Sequence, residues 1–180
     1  MNRTTVATSI FAVLAGVALA QPAAAVTQVR YQVQTGANMC TLSVPTTDTK
    51  VRPRASGFNN EGTTNAFVIC SFDAPPGAYG VLLTEFTSAA LYLRSLDGVA
   101  RDVTCTGVNA LPATHDQQFV SKTHTVSSTD AETQFAWLPA DFAGTSTIPD
   151  SGGAFSVTCI LPPQTSVEFG GANSNEDVGN

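Results

Sequence analysis

Apolar and polar residues alternate in short runs along most of this chain, and turn-forming residues separate the runs. The period-two pattern predicts strands at 40–44, 66–72, 81–86, 90–94, 99–106, 119–126, 133–138, 155–161 and 166–169. Between them fall Asn59-Asn60-Glu61-Gly62, Pro75-Pro76-Gly77, Asp97-Gly98, Pro149-Asp150-Ser151-Gly152-Gly153 and Pro162-Pro163, all turn chemistry. Many short strands with this punctuation imply an all-β fold, an antiparallel β-sandwich that is Ig-like or jelly-roll-like. Residues 26–170 are expected to form one such domain. Residues 26–38 are polar and only partly alternating, with Tyr31 and Val33 the main apolar points. Residues 171–180 hold little to bury and read as a flexible acidic tail.

One hairpin can be argued to register. With Leu96-Asp97-Gly98 as a three-residue loop and Gly98 left-handed, Ser95 faces Val99. Leu91, Leu93, Val103 and Cys105 then share one face, and Tyr92, Arg94, Asp102 and Thr104 the other. Arg101 intrudes on the apolar side.

The N-terminus departs from this pattern. After the single charge of Arg3, residues 6–20 are almost wholly apolar or small, and Ala18-Leu19-Ala20 and Ala23-Ala24-Ala25 follow. This is the layout of a secretory signal peptide, residues 1–25, cleaved after Ala20 or Ala25. Its apolar centre is too short to span a bilayer, and no membrane insertion is expected after cleavage. About 155 residues remain, the size of one domain, exported by a bacterial-type route to the periplasm or the exterior.

That compartment gives the cysteines their meaning. Cys40, Cys70, Cys105 and Cys159 all lie beyond the leader, where an even count points to two disulfides. The segments Asn65-Ala66-Phe67-Val68-Ile69-Cys70 and Gly153-Ala154-Phe155-Ser156-Val157-Thr158-Cys159 resemble each other, and each leads to a Pro-Pro pair. Of three connectivities, Cys40–Cys70 with Cys105–Cys159 respects that echo.

Charge narrows the partners. The leader takes away one of 8 basic residues and none of 14 acidic ones, from a chain of formal net charge −6. An acidic surface of this kind does not suit nucleic acid. Lys50, Arg52 and Arg54 nevertheless fall within five positions, and Pro53 holds them extended and on one face. Such a ridge either grips a carboxylated or phosphorylated polymer or guards the edge of a sheet.

Candidate chemistry is sparse. Trp137, the only tryptophan, is core if buried and a sugar platform if exposed, whereas Tyr79 rides a turn and is the better candidate for exposure. Phe67, Phe72, Phe119 and Phe155 are core by default. His115, followed by Asp116, and His124 could serve a secreted hydrolase with a nearby carboxylate and a serine, but no Gly-x-Ser-x-Gly elbow selects the nucleophile. Asp141, Asp150, Glu168, Glu176 and Asp177 offer oxygens for a bound calcium without an Asp-x-Asp-x-Asp loop to gather them; no other metal or cofactor is expected. The sequence reads best as a non-enzymatic extracytoplasmic binding or structural module. Lys50, Arg52, Arg54, Tyr79 and Trp137 are its candidate ligand contacts, and a cell-surface polysaccharide or an envelope protein its candidate partner.

Overall fold

The computed structural model describes residues 27–45, 47–73, 86–109, 117–149 and 154–177. They form β1 (Thr27–Thr35), a single helical turn α1 (Gly36–Met39), β2 (Cys40–Leu42), β3 (Val51–Arg54), β4 (Gly57–Asn60), β5 (Ala66–Asp73), β6 (Phe86–Ser95), β7 (Arg101–Asn109), β8 (Gln118–Val126), β9 (Thr133–Trp137), a 3-10 turn (Pro139–Phe142), β10 (Ala154–Leu161) and β11 (Thr165–Asp177).

Two antiparallel sheets face each other. Sheet A runs β3-β4-β11-β6-β9, with β1 beside the far half of β11; sheet B runs β2-β5-β10-β7-β8. From β4 to β11 this is the strand order of an eight-stranded jelly roll, which decides between the two sandwich types. In that topology β6 and β7 lie in opposite sheets, β6 between β11 and β9, and β7 between β10 and β8. The expected hairpin is therefore absent, and residues 96–100 form an arch between the sheets. The expected faces survive the change of partner. Leu91, Leu93, Val103 and Cys105 are fully buried, because both strands look into the same core from opposite sides. Gly98 is left-handed, at φ 74°. The intruding Arg101 is absorbed by a two-pronged ion pair with Asp97 at 2.6 and 2.7 Å. That guanidinium, helped by the Val99 amide, holds the Asp97 carboxyl well below the usual range.

Three further expectations are corrected. Residues 171–177 belong to β11, the longest strand, and pair with both β1 and β6. Ala172 and Ser174 are buried there, but the side chains are mostly small and polar and offer little apolar area, so the ladder hydrogen bonds hold the segment. Asn59 and Asn60 end β4 rather than forming a turn. Asn60 is buried and donates to the Thr64 and Leu161 carbonyls at 2.9 and 2.8 Å. Phe67 and Phe119 are exposed on the outside of sheet B, whereas Phe72 and Phe155 are core. Residues 81–85 lie outside the described residues, as does the proposed leader.

The core is centred on Phe155, whose ring lies 5.7 Å from Phe72, 5.8 Å from Phe142, 6.1 Å from Trp137 and 6.2 Å from Phe86. Both disulfides are the expected ones, Cys40–Cys70 and Cys105–Cys159. Each joins register partners on neighbouring strands of sheet B, a placement that fits an oxidising compartment. Among the described residues no helix is long and apolar enough to cross a membrane.

The β8–β9 side of the sandwich is closed by Lys122. Its Nζ donates to the Ala136 carbonyl at 2.5 Å and to Asp141 Oδ2 at 2.7 Å, and Asp141 also accepts the Leu138 amide at 2.8 Å. Partial burial raises the Asp141 pKa, but the Lys122 and Leu138 hydrogen bonds outweigh it and the net shift is downward. A carboxyl whose folded pKa is depressed stabilises above its ordinary value of about 3.9 and stops doing so as pH falls through the folded one. Asp141→Asn should therefore cost about 1–2 kcal/mol at pH 7. In denaturant titrations the gap from wild type should narrow as the pH falls below the usual carboxylate range and the Asp141 carboxyl takes up its proton; a gap that stays constant into strong acid would count against the ion pair.

Candidate functional site

The two outer faces of the sandwich differ. On sheet B the outward residues of β7 and β8 are mainly hydroxyls that satisfy each other, Thr104 with Thr123 and Thr106 with Ser121, both at 2.8 Å. On sheet A the outward residues are aromatic, amide-bearing and small.

That face is produced by one bulge. Along β11, Ser166 points out and the buried Val167 points in, so simple alternation would send Phe169 inward. The pairing with β6 instead slips by one between Val167 and Phe169, with Glu168 as the extra residue. A bulge re-aims every side chain beyond it. Phe169 thus emerges opposite Tyr92, and the rings stack at 4.3 Å between centroids and 14° between planes. Tyr92 is fixed from the other side by Gln134 of β9, whose Nε2 donates to the phenolic oxygen at 3.1 Å.

Two residues further along β11 the outward row is Val33, Gly171, Ala90 and Ala136, in register across four strands. Gly171, Ala90 and Ala136 of that row form a floor with little side-chain height, and the exposed Val33 rises at its β1 end. Beyond it lie Tyr31, Asn173 and Ser88, with Asn173 Nδ2 donating to Ser88 Oγ at 3.0 Å. Tyr31 is 61% exposed, and its ring leans over the floor: a Cβ placed on Gly171 would sit 2.9 Å from the Tyr31 hydroxyl. The floor is thus bounded by Tyr92 and Phe169 on one side and by Tyr31 and Asn173 on the other. The four residue steps from Phe169 to Asn173 span ~13 Å at strand rise. The result is a shallow trough across the strands, with flat apolar rings and amide groups along its walls.

A charged row borders the trough. Register places Arg52, Asn59, Ser166 and Arg94 side by side on the outer face. Arg94 reaches Glu168 at 3.3 Å and the Thr129 carbonyl at 3.1 Å, and Ser166 Oγ bonds Asn59 at 2.7 Å. The ridge anticipated from sequence lies here. Arg54 is ion-paired with Glu61, and the Arg54 hydrogen bond, followed by that of Asn59, draws the Glu61 pKa down against partial desolvation. Arg52 is exposed, and so is Lys50, just ahead of β3. The strand that carries Arg52 and Arg54 is an edge of sheet A and contains Pro53, the geometry of an edge guard.

Other candidates fall elsewhere. Trp137 is fully buried, and its Nε1 donates to the Val120 carbonyl at 2.9 Å, so it is core and no platform. Tyr79, His115, Asp116 and Asp150 lie outside the described residues. His124 is exposed on β8 with its ring edge against Phe135, centroids 4.7 Å apart. Among the described residues no cluster of three His, Cys, Asp or Glu is placed to hold a metal. Of the acids considered for calcium, Asp141, Glu168 and Glu176 are each ion-paired with a base, Lys122, Arg94 and Arg30.

Sequence reasoning missed Tyr31, Phe169, Gln134 and Asn173. It did place Tyr92 on the face opposite Leu91 and Leu93, the one part of the trough that alternation could disclose.

No protein-family model matches the chain, and no curated protein sequence matches it. Solved structures resemble it in fold, two of them carbohydrate-binding modules. One is a xylan-binding module CBM15, with TM-score 0.44, 12% identity, and coverage of 84% of this chain and 100% of that one. The other is a Family 11 carbohydrate-binding module from Clostridium thermocellum in complex with a β-1,3-1,4-mixed-linked tetrasaccharide, with TM-score 0.34, 11% identity and 86% of each chain covered. The likeness is one of fold. At these scores no residue and no ligand carries over to this chain.

Proposed function

We propose that the protein is a non-enzymatic binding module that works outside the cytoplasm and holds a polysaccharide in the trough on the outer face of sheet A. The observation behind this reading is the ring pair Tyr92–Phe169 facing Tyr31 across a floor of Gly171, Ala90 and Ala136. Flat apolar rings suit the faces of sugar rings. Gln134 and Asn173 supply donors and acceptors for hydroxyls, and an open trough accepts a chain at any point along its length. The neighbouring Arg52 would favour a polymer carrying some carboxylate.

Calorimetric titration with a panel of neutral and uronate-bearing polysaccharides tests it. Tyr92→Ala should weaken binding about tenfold or more, the effect of losing ~1.4 kcal/mol of stacking, while the lost contacts to Phe169 and Gln134 lower the melting temperature by only about 2–4 °C. Gly171→Gln should weaken it further by displacing Tyr31. If both variants bind like wild type while replacement of Lys50, Arg52 and Arg54 by Ser abolishes binding, the ridge is the site and the trough reading fails.

A further inference from the structure

We infer that β1 is a homotypic interface, the strand through which two copies of this chain pair edge to edge. Among the described residues β1 pairs with β11 and with no second strand, which leaves one long side of its backbone as a template for another strand. The other edges are guarded. β2 has three residues and β9 five. β3 carries Pro53 between Arg52 and Arg54, and β8 turns the charge of Lys122 inward. β1 has none of these devices over nine residues, and its one charge, Arg30, is held by Glu176 of β11 at 2.5 Å.

The sequence of the strand says which partner fits. Thr27-Gln28-Val29-Arg30-Tyr31-Gln32-Val33-Gln34-Thr35 reads nearly the same in both directions about Tyr31. An antiparallel pair centred on Tyr31 sets Thr27 against Thr35, Gln28 against Gln34, Val29 against Val33 and Tyr31 against itself. The single mismatch sets Arg30 against Gln32, which keeps the two arginines from facing each other. A two-fold interface requires such self-complementarity, and a generic strand partner does not. Val29, Tyr31 and Val33 point outward and are 65%, 61% and 53% exposed, so the pair would bring β-branched and aromatic neighbours together across the seam, combinations that stabilise a ladder. The two-fold axis stands perpendicular to the sheets. Two six-stranded sheets therefore become one continuous sheet, with both troughs opening on the same side.

Sedimentation equilibrium of the purified protein over a range of concentrations tests this, with Tyr31 left intact. Wild type should be a dimer. Val29→Lys with Val33→Lys puts lysine opposite lysine twice and should weaken the dimer at least tenfold, with the circular dichroism spectrum and melting temperature retained because both positions are exposed. Val29→Glu with Val33→Lys puts opposite charges together in the same register and should restore the dimer. A single-copy mass for wild type at every concentration overturns the inference, as does an undiminished dimer in the double-lysine variant. A Glu/Lys variant as weak as the double-lysine one rules out the Tyr31-centred register.

Discussion

Reducing both disulfides should leave the protein largely unfolded at physiological temperature. Cys40–Cys70 and Cys105–Cys159 close loops of 30 and 54 residues. By loop-closure entropy each contributes about 4 kcal/mol, and the two together about 8. Domains of this size are stable by only ~5–15 kcal/mol in all. The bridges also matter by position. One ties β2 to β5 and the other β7 to β10, so four of the five strands of sheet B are stapled in pairs while sheet A has no covalent link. Sheet B should lose cohesion first. The sulfurs are buried, and reduction proceeds through opened molecules, so the measurement is a circular dichroism melt after incubation with reductant in mild denaturant and its removal. Free thiols with an unshifted melt would show that packing alone holds the sandwich.

What alternation reveals is a face and not a partner, and the jelly roll makes the distinction visible. Leu91, Leu93, Val103 and Cys105 were legible as core because apolar residues recur at every second position. That β6 and β7 lie in opposite sheets was not legible, since a short loop with a left-handed glycine serves an arch as well as a hairpin. The disulfide pairing followed from an echo between β5 and β10, which proves to be an echo between strands that pair with each other. The default placing of strand phenylalanines in the core failed at Phe67. It stands three residues before Cys70, whereas Phe155 stands four before Cys159, so a buried cysteine puts the two phenylalanines on opposite faces. That offset was present in the sequence.

The trough was less legible, for a physical reason. Its walls come from β1, β6, β9 and β11, and Phe169 joins them only because the ladder slips at Glu168. No local property of Glu168 announces a bulge. Residues 27–35 and 171–177 hide for another reason: their strands are held by ladder hydrogen bonds rather than by an apolar face, so their sequences look like loop. The palindrome about Tyr31 could have been read at the outset, yet it acquires meaning only once β1 is an edge.

Gly107→Ala should destabilise the protein by about 1–3 kcal/mol, unusually much for one added methyl. Gly107 points inward from β7, and a Cβ there would stand 2.6 Å from both Cδ1 and Nε1 of Trp137 and 2.9 Å from Cε2. The indole has nowhere to retreat. It is fully buried, packs toward Phe155, and is tethered through Nε1 to the Val120 carbonyl of β8. Trp137→Phe should also cost about 2 kcal/mol, through the lost volume and a carbonyl left without its donor. Combined, the two substitutions should cost at least ~1 kcal/mol less than their sum, because the smaller ring vacates the space that the methyl needs. Denaturant titration of the four proteins supplies the cycle, and strictly additive costs would mean that the two residues do not touch. The same corner supports the trough. Trp137 anchors β9 from the inside, and on the opposite face of that strand Gln134 fixes Tyr92. Trp137→Phe alone should therefore weaken polysaccharide binding modestly without altering any residue in the trough.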